Sequence, residues 1–305
     1  MKNAPIRHRI EYSAYWTVKS LLRILPHPAA RKLGRGLGAL GWHVLGSRRR
    51  VALDNLRLAL PELDEAERRR IARESLRHLG AAFCDPLSAL RFDAVEFCRR
   101  LTLEGWEHLQ AADARGKGVF IMSAHLGMWE AAAQPVALYA GGMDVVGRPL
   151  DNPHLDRDLV DLRTRFGNRL ISKRGAARGM LKALRGGGRV GILIDQRARP
   201  ADAVEVPFFG HPARTSSVLA RLALRTGAAV VPIFGYGEPN GCYRVVLRPP
   251  VVPADTPEPE GSALEREQAQ EDAVVALTQR YMAVVEEEIR RDPAQWMWLH
   301  KRWKK

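Results

Sequence analysis

The sequence predicts an α/β fold with a mostly parallel central sheet flanked by helices. Three observations predict it. From about residue 100, short apolar runs alternate with helical patterns, as strands joined by crossover helices do. Before that point the apolar period is helical, so the N-terminal third reads as helix alone. The chain has 305 residues, 46% of them hydrophobic. That is enough to bury a substantial core, as one large domain or two small ones.

Residues 11–46 read as two helices broken by Pro26 and Pro28 and ended by Arg48-Arg49-Arg50. Val51 to Leu60 reads as another helix, stopped by Pro61. Asp64 is placed to cap a long helix through about Ala82. Its charges (Glu65, Glu67, Arg68, Arg69, Arg70) form a solvated face, and Ile71, Leu76 and Leu79 form a buried one. Strands are expected at 118–122, 143–147, 190–194, 229–234 and 243–247, with helices near 127–139, 154–166, 176–185, 213–226 and 264–291. Glu238-Pro239-Asn240-Gly241 predicts an antiparallel hairpin at one edge of the sheet. Pro249 to Glu260 reads as a proline-rich polar loop. The expected organisation is a helical region at 1–50 and an α/β domain at 51–305.

Charge is concentrated at the start. The chain carries 48 basic and 34 acidic side chains, a net +14. Residues 1–50 hold eleven Lys or Arg and one acid, Glu11. Tyr12, Tyr15, Trp16 and Trp42 alternate there with Lys19, Arg23, Arg31, Lys32 and Arg35, and with Leu21, Leu22, Ile24 and Leu25. That is the pattern of helices lying in a membrane interface, aromatics at headgroup depth and cations reaching phosphates. No run of 18 uncharged apolar residues suggests a span. Nucleic acid is not expected as a partner, since no nucleic-acid motif accompanies the charge. The start shows no secretory pattern, and Cys84, Cys98 and Cys242 form no metal-like pair or disulfide framework, which fits a reducing cytosol. Neither metal nor cofactor is implied. Gly36-Leu37-Gly38-Ala39-Leu40-Gly41 matches a dinucleotide fingerprint, but a helical pattern precedes it where a strand is required. Ala30, Gly34 and Gly38 instead form a small-residue stripe for close helix packing.

The stretch Ser123-Ala124-His125-Leu126-Gly127-Met128-Trp129-Glu130 follows the apolar run 118–122. A histidine and an acid just past a strand end can form a general base with its orienting carboxylate. No Gly-x-Ser-x-Gly elbow surrounds them, so direct activation of a second substrate's hydroxyl is favoured over a serine acyl-enzyme. Asp195 ends an apolar run, where open α/β sheets place ligand residues; a turn cap is the alternative. Gln196 is its candidate neighbour. Arg148 precedes Pro149 and is held extended near a strand end, facing an acceptor phosphate, sugar or oxyanion, or else pairing with Asp151 at the surface. Thr215 and Ser216 read as caps for the next helix. Phe208 and Phe209 line either an acyl channel or the core.

Four ordered segments, 123–130, 146–153, 191–215 and 293–303, together resemble the bacterial lipid A biosynthesis acyltransferases, the lauroyl/myristoyl transferase family that includes phosphatidylinositol mannoside acyltransferases. The resemblance runs from about Tyr12 to the C-terminus. It implies a glycerolipid-acyltransferase-like fold with a membrane-associated N-terminal region. It also implies transfer of an acyl group from acyl carrier protein or acyl-CoA to a glycolipid hydroxyl, at the cytoplasmic face of the inner membrane. The His-x4-acid pair it makes catalytic is His125 with Glu130, and its C-terminal motif carries His300 beside the acceptor. Members often have Asn where this chain has Met128, which leaves no polar role there. In the expected mechanism Glu130 orients His125; the sequence does not identify the oxyanion donors, for which backbone amides of the turn after His125 are candidates. The alternatives are a different glycolipid or amino-lipid acceptor, or a catalytically inactive membrane-binding homologue.

Overall fold

A computed structural model describes residues 4–172, 175–253 and 262–303. Five helices come first: α1 (Ala4–Ile24), α2 (His27–Val44), α3 (Gly46–Ala59), α4 (Glu65–Ala89) and α5 (Ala94–Arg99). The next elements are β1 (Leu101–Glu104), α6 (Trp106–Ala114), β2 (Val119–Ser123), α7 (Trp129–Ala132), α8 (Gln134–Ala140), β3 (Asp144–Gly147), α9 (Pro153–Thr164) and β4 (Arg169–Ser172). After them come α10 (Ala176–Arg185), β5 (Arg189–Leu193), β6 (Ala203–Phe208), β7 (His211–Ser216), α11 (Val218–Thr226), β8 (Ala229–Gly237), β9 (Tyr243–Leu247) and α12 (Ala263–Arg291).

Seven strands form one sheet in the order β1-β9-β8-β2-β5-β3-β4. All neighbours are parallel except β8 and β9. The mostly parallel α/β sheet read from the sequence is therefore present. Strand β2 is buried along its whole length and β8 along nearly all of it, as central strands covered on both faces must be. The expected antiparallel hairpin is β8–β9, but it does not end the sheet. Strand β1 covers it in parallel, with Leu101 opposite Tyr243.

Other boundaries shift for identifiable reasons. Residues 213–216, expected as helix, belong to β7, which pairs antiparallel with β6 apart from the main sheet. Their hairpin turns at Phe209 and Gly210, both with positive φ (52° and 73°), the conformation a two-residue connection demands. Phenylalanine in that place hides the turn from a reading that looks for Asn-Gly. The three arginines 48–50 do not stop a helix; they lie within α3, near its start. Helix α4 continues past the expected end, through Pro86. Of the expected loop at 249–260, residues 254–260 lie outside the described residues.

Helix α2 packs closely on α4 through the small stripe. A Cβ at Gly38 would lie 2.1 Å from the Leu76 carbonyl oxygen, and one at Gly80 2.1 Å from that of Gly34. Both obstacles are backbone, so the helices would have to part. Gly38→Ala is expected to destabilise the fold by about 1–3 kcal/mol. A thermal melt checks this, and an unchanged midpoint would refute the tight helix contact.

The N-terminal helices depart in part from the expected interface pattern. Trp42 is buried in the main core. Arg31 is buried too, paired with Asp85, which also accepts from the Tyr243 hydroxyl at 2.7 Å. Lys19 pairs with Asp158 of α9 at 2.7 Å, and Tyr12 lies against His154. Ile6, Ile10, Trp16, Leu21 and Ile24 of α1 are exposed, as are Leu37, Leu40 and Val44 of α2. Among the described residues, no helix is long and apolar enough to cross a membrane.

Candidate active site

Strands β2 and β5 are parallel neighbours, with Ser123 opposite Leu193. Two residues further along each strand come His125 and Asp195, so the register alone sets them side by side. They lie at the C-terminal edge of the sheet, where open α/β folds gather ligand groups. The Asp195 carboxylate accepts from the His125 ring at Nδ1 over 2.8 Å and from the His125 backbone N–H over 3.0 Å. Trp296 donates its indole N–H to the same carboxylate at 2.8 Å. All three bonds hold an acceptor, so Asp195 is fixed as an anion.

Burial alone would raise the Asp195 pKa, since the side chain is 2% exposed. The charge of His125 and these hydrogen bonds outweigh burial and hold it down to about 2. Burial lowers the His125 pKa, but the opposing Asp195 charge and hydrogen bond, with a further push from Glu130, leave it above the ordinary histidine value. With Nδ1–H given to Asp195, the Nε2 lone pair faces outward. There the Gln196 side-chain amide donates to it at 3.2 Å.

The expected bond between Glu130 and His125 is not what the structure contains. Glu130 is gripped by both ends of the Arg163 guanidinium, at 2.6 and 3.0 Å. His125 sits in the bend just after β2, whereas Glu130 lies in the first turn of α7, and each side chain takes a different partner, Asp195 for His125 and Arg163 for Glu130. Glu130 stays close enough for its charge to favour the imidazolium.

The turn between them is stapled on both sides. Gly127 N–H donates to the Gln295 carbonyl and Met128 N–H to that of Gly235. Gly127 has φ 59°, and a Cβ there would lie 2.1 Å from the Gly235 oxygen, so only glycine fits. Leu126 N–H bonds to Ala124 within the turn. The amides of residues 126–128, candidates for the oxyanion donors, are thus already used.

The C-terminal segment closes the site. Met297 N–H donates to the His125 carbonyl, and Leu126 bridges to Trp296. Trp296 and Trp298 are fully buried and pack edge to face, with ring centroids 4.6 Å apart. Phe208 stacks on Trp303 and meets Trp296, which makes it core. His300, expected beside the acceptor, instead accepts the Arg197 backbone N–H on Nε2 at 3.0 Å. Burial lowers its pKa, which keeps it a neutral acceptor. It therefore braces the loop that carries Asp195 and Gln196. Thr215 accepts from buried Arg302 and caps no helix. Arg148 is 70% exposed and pairs with Asp151 at 3.3 Å, the surface alternative; no hydrogen bond joins it to the His125 cluster among the described residues.

Sequence reasoning overlooked Arg163 and the Trp296–Asp195 bond. Both partners lie far along the chain from His125, and only the fold joins them. An apolar cavity of about 60 Å³ is lined by Ile121, Val145 and Ile192, with Trp129 and the Glu130–Arg163 pair also on its wall.

The sequence matches the family model described as bacterial lipid A biosynthesis acyltransferase over residues 2–305. It is similar to the lipid A biosynthesis lauroyltransferase of Escherichia coli K12, with 29% identity covering 92% of this chain and 87% of the relative. It is also 29% identical to a lipid A biosynthesis acyltransferase of Haemophilus influenzae, covering 96% of this chain and 91% of the other. A phosphatidylinositol mannoside acyltransferase of Mycobacterium tuberculosis is 31% identical over a shorter stretch, 45% of this chain and 44% of that protein. The chain therefore belongs to the bacterial lipid A biosynthesis acyltransferase family and is an O-acyltransferase.

Proposed function

We propose that this enzyme moves a fatty acyl chain from acyl carrier protein, or acyl-CoA, to a hydroxyl of a lipid A precursor, with His125 as general base and Asp195 as its orienting anion. The observation that carries the assignment is the His125–Asp195 pair, with Nε2 left as the outward lone pair. An acceptor hydroxyl takes the place of the Gln196 amide at Nε2. Its oxygen attacks the thioester carbonyl carbon while Nε2 takes its proton, and Asp195 offsets the imidazolium charge. The tetrahedral intermediate collapses with rupture of the C–S bond. The thiolate leaves with little help, since a thiol has a pKa near 8.5, and the proton on His125 passes to it.

Glu130 retains a place in the chemistry through its field. Its charge, held by Arg163, favours the imidazolium, less than that of Asp195 does and partly offset by the charge of Arg163 itself. The small apolar cavity lined by Trp129, Ile121, Val145 and Ile192 receives part of the acyl chain. Membrane attachment is peripheral, at the cytoplasmic face of the inner membrane. The exposed apolar residues of α1 and α2 enter the headgroup boundary, with Lys32 and Arg23 beside them.

The experiment is transfer of a labelled acyl chain from acyl carrier protein to a Kdo-bearing lipid A precursor by the purified full chain. Saturable formation of the acylated product is expected. Donor turnover with no product on this precursor, but product on another glycolipid, would overturn the assigned acceptor and leave the chemistry standing.

A further inference from the structure

We propose that a basic cavity between α2, α3 and α4, apart from the His125 site, binds a phosphate ester. The cavity measures about 630 Å³. Arg49, Arg50 and Arg57 project into it from one face of α3, Arg69 and Arg73 from α4, and Trp42 lines it from α2. Two of the five cations are already neutralised. Arg57 pairs with Asp54 at 2.9 Å and Glu65 at 2.8 Å, and Arg69 reaches Glu65 at 3.4 Å. Arg49, Arg50 and Arg73 have no carboxylate partner among the described residues.

Three unpaired guanidinium groups around one cavity repel each other, so the arrangement asks for an anion of two or more charges. Two of the three are held in place. Arg49 and Arg73 lie over the Trp42 ring, 5.3 and 5.0 Å from its centroid, and Arg49 also donates to the Trp42 carbonyl at 3.1 Å. Side chains fixed in this way lose less freedom on forming a forked bond to a phosphate. The start of α3 adds to the field. Its first turn has no acid, and Gly46 at its first position lines the cavity.

The geometry selects among anions. Guanidinium groups occupy the Trp42 ring, so a nucleobase has nothing to stack on. The planar forks match tetrahedral phosphate oxygens, and the volume suits a small headgroup or a phosphodiester arm. The opposite side of α3 reaches the reaction centre. Asn55 donates to the carbonyls of Trp298 and His300 at 2.7 Å each. An occupied cavity thus steadies the helix that holds the C-terminal segment against His125. The phosphate can come from a membrane headgroup or from the phosphopantetheine arm of a thioester donor. Binding is read without acyl transfer, so its failure is separate from that of the acyl-transfer reading.

The test is equilibrium dialysis of the full chain with labelled pyrophosphate, comparing the parent, Arg50→Ala/Arg73→Ala, and a control of equal charge change, Arg99→Ala/Arg185→Ala. All four positions are exposed. The cavity pair is expected to weaken binding about tenfold or more, and the control pair by no more than about twofold. Equal weakening in both pairs, or no weakening in either, would overturn the proposal. Competition by phosphopantetheine, and flotation with phosphatidylcholine vesicles with and without phosphatidate, assign the source. Loss of phosphatidate-dependent flotation in the cavity pair alone points to a headgroup; competition by phosphopantetheine alone points to the donor.

Discussion

Asp195→Asn is expected to reduce acyl transfer by about 10³-fold or more with the fold retained. Asp195 accepts three N–H groups: one oxygen takes His125 Nδ1–H, the other takes the His125 backbone and Trp296. Asparagine offers a single oxygen. If that oxygen satisfies the backbone and the indole, its amide N–H₂ faces Nδ1. The ring must then present a lone pair at Nδ1 and carry its proton on Nε2, where it cannot accept one from the acceptor hydroxyl. The reverse orientation sets the amide against two donors at a buried position, which is worse. The base is lost through its tautomer, with its position almost unchanged.

The pH dependence carries a second signature. A general base must be neutral to work, and the His125 pKa lies above its ordinary value. The parent's rate should therefore fall as pH drops through a midpoint above 6.5. Removing the Asp195 charge leaves burial, which lowers the His125 pKa, as the dominant influence. The acid limb of the residual activity should move to lower pH. Glu130→Gln should move it in the same direction but less, because the Asp195 contribution is the larger. A pH profile of kcat/KM for the three proteins checks the order, and a larger shift for Glu130→Gln would reverse the roles.

His125→Ala is expected to lower kcat by about 10³-fold with a small change in KM. The ring is the proposed proton acceptor, and the side chain that meets it at Nε2 is the Gln196 amide, which cannot take a proton in its place. The backbone of residue 125, which binds Asp195 and Met297, is kept in the variant. Steady-state kinetics with circular dichroism separates loss of chemistry from loss of fold. A folded variant with kcat within about tenfold of the parent would remove His125 from the role given to it.

Much of the fold was legible in the sequence because its central strands are apolar and short. Strands β2, β3, β5, β8 and β9 all fall within about three residues of their expected limits. Strands β1 and β4 were hidden because each is four residues long and only partly buried where described, with too little apolar pattern to separate from a loop. The β6–β7 hairpin was hidden by Phe209, which adopts a left-handed conformation that its side chain does not advertise. At the site, His125, Asp195 and Gln196 were singled out by their place after apolar runs, and the structure joins all three. The error lay in pairing. A spacing of five residues suggested Glu130, whereas the contact that forms is set by the register of two parallel strands 70 positions apart in sequence. Local spacing carries no information about register. The same limit hid Arg163 on Glu130 and Trp296 on Asp195. The His300 assignment came from the family pattern, and its ring turns out to brace the Asp195 loop.

The most direct test of the account is the rate of acyl transfer from labelled acyl carrier protein to a Kdo-bearing lipid A precursor, measured for the parent and for Asp195→Asn under identical conditions. The account predicts robust transfer by the parent and a rate lower by about 10³-fold or more in the variant. A variant within about tenfold of the parent would contradict it, since a histidine without its orienting anion could not then be the base.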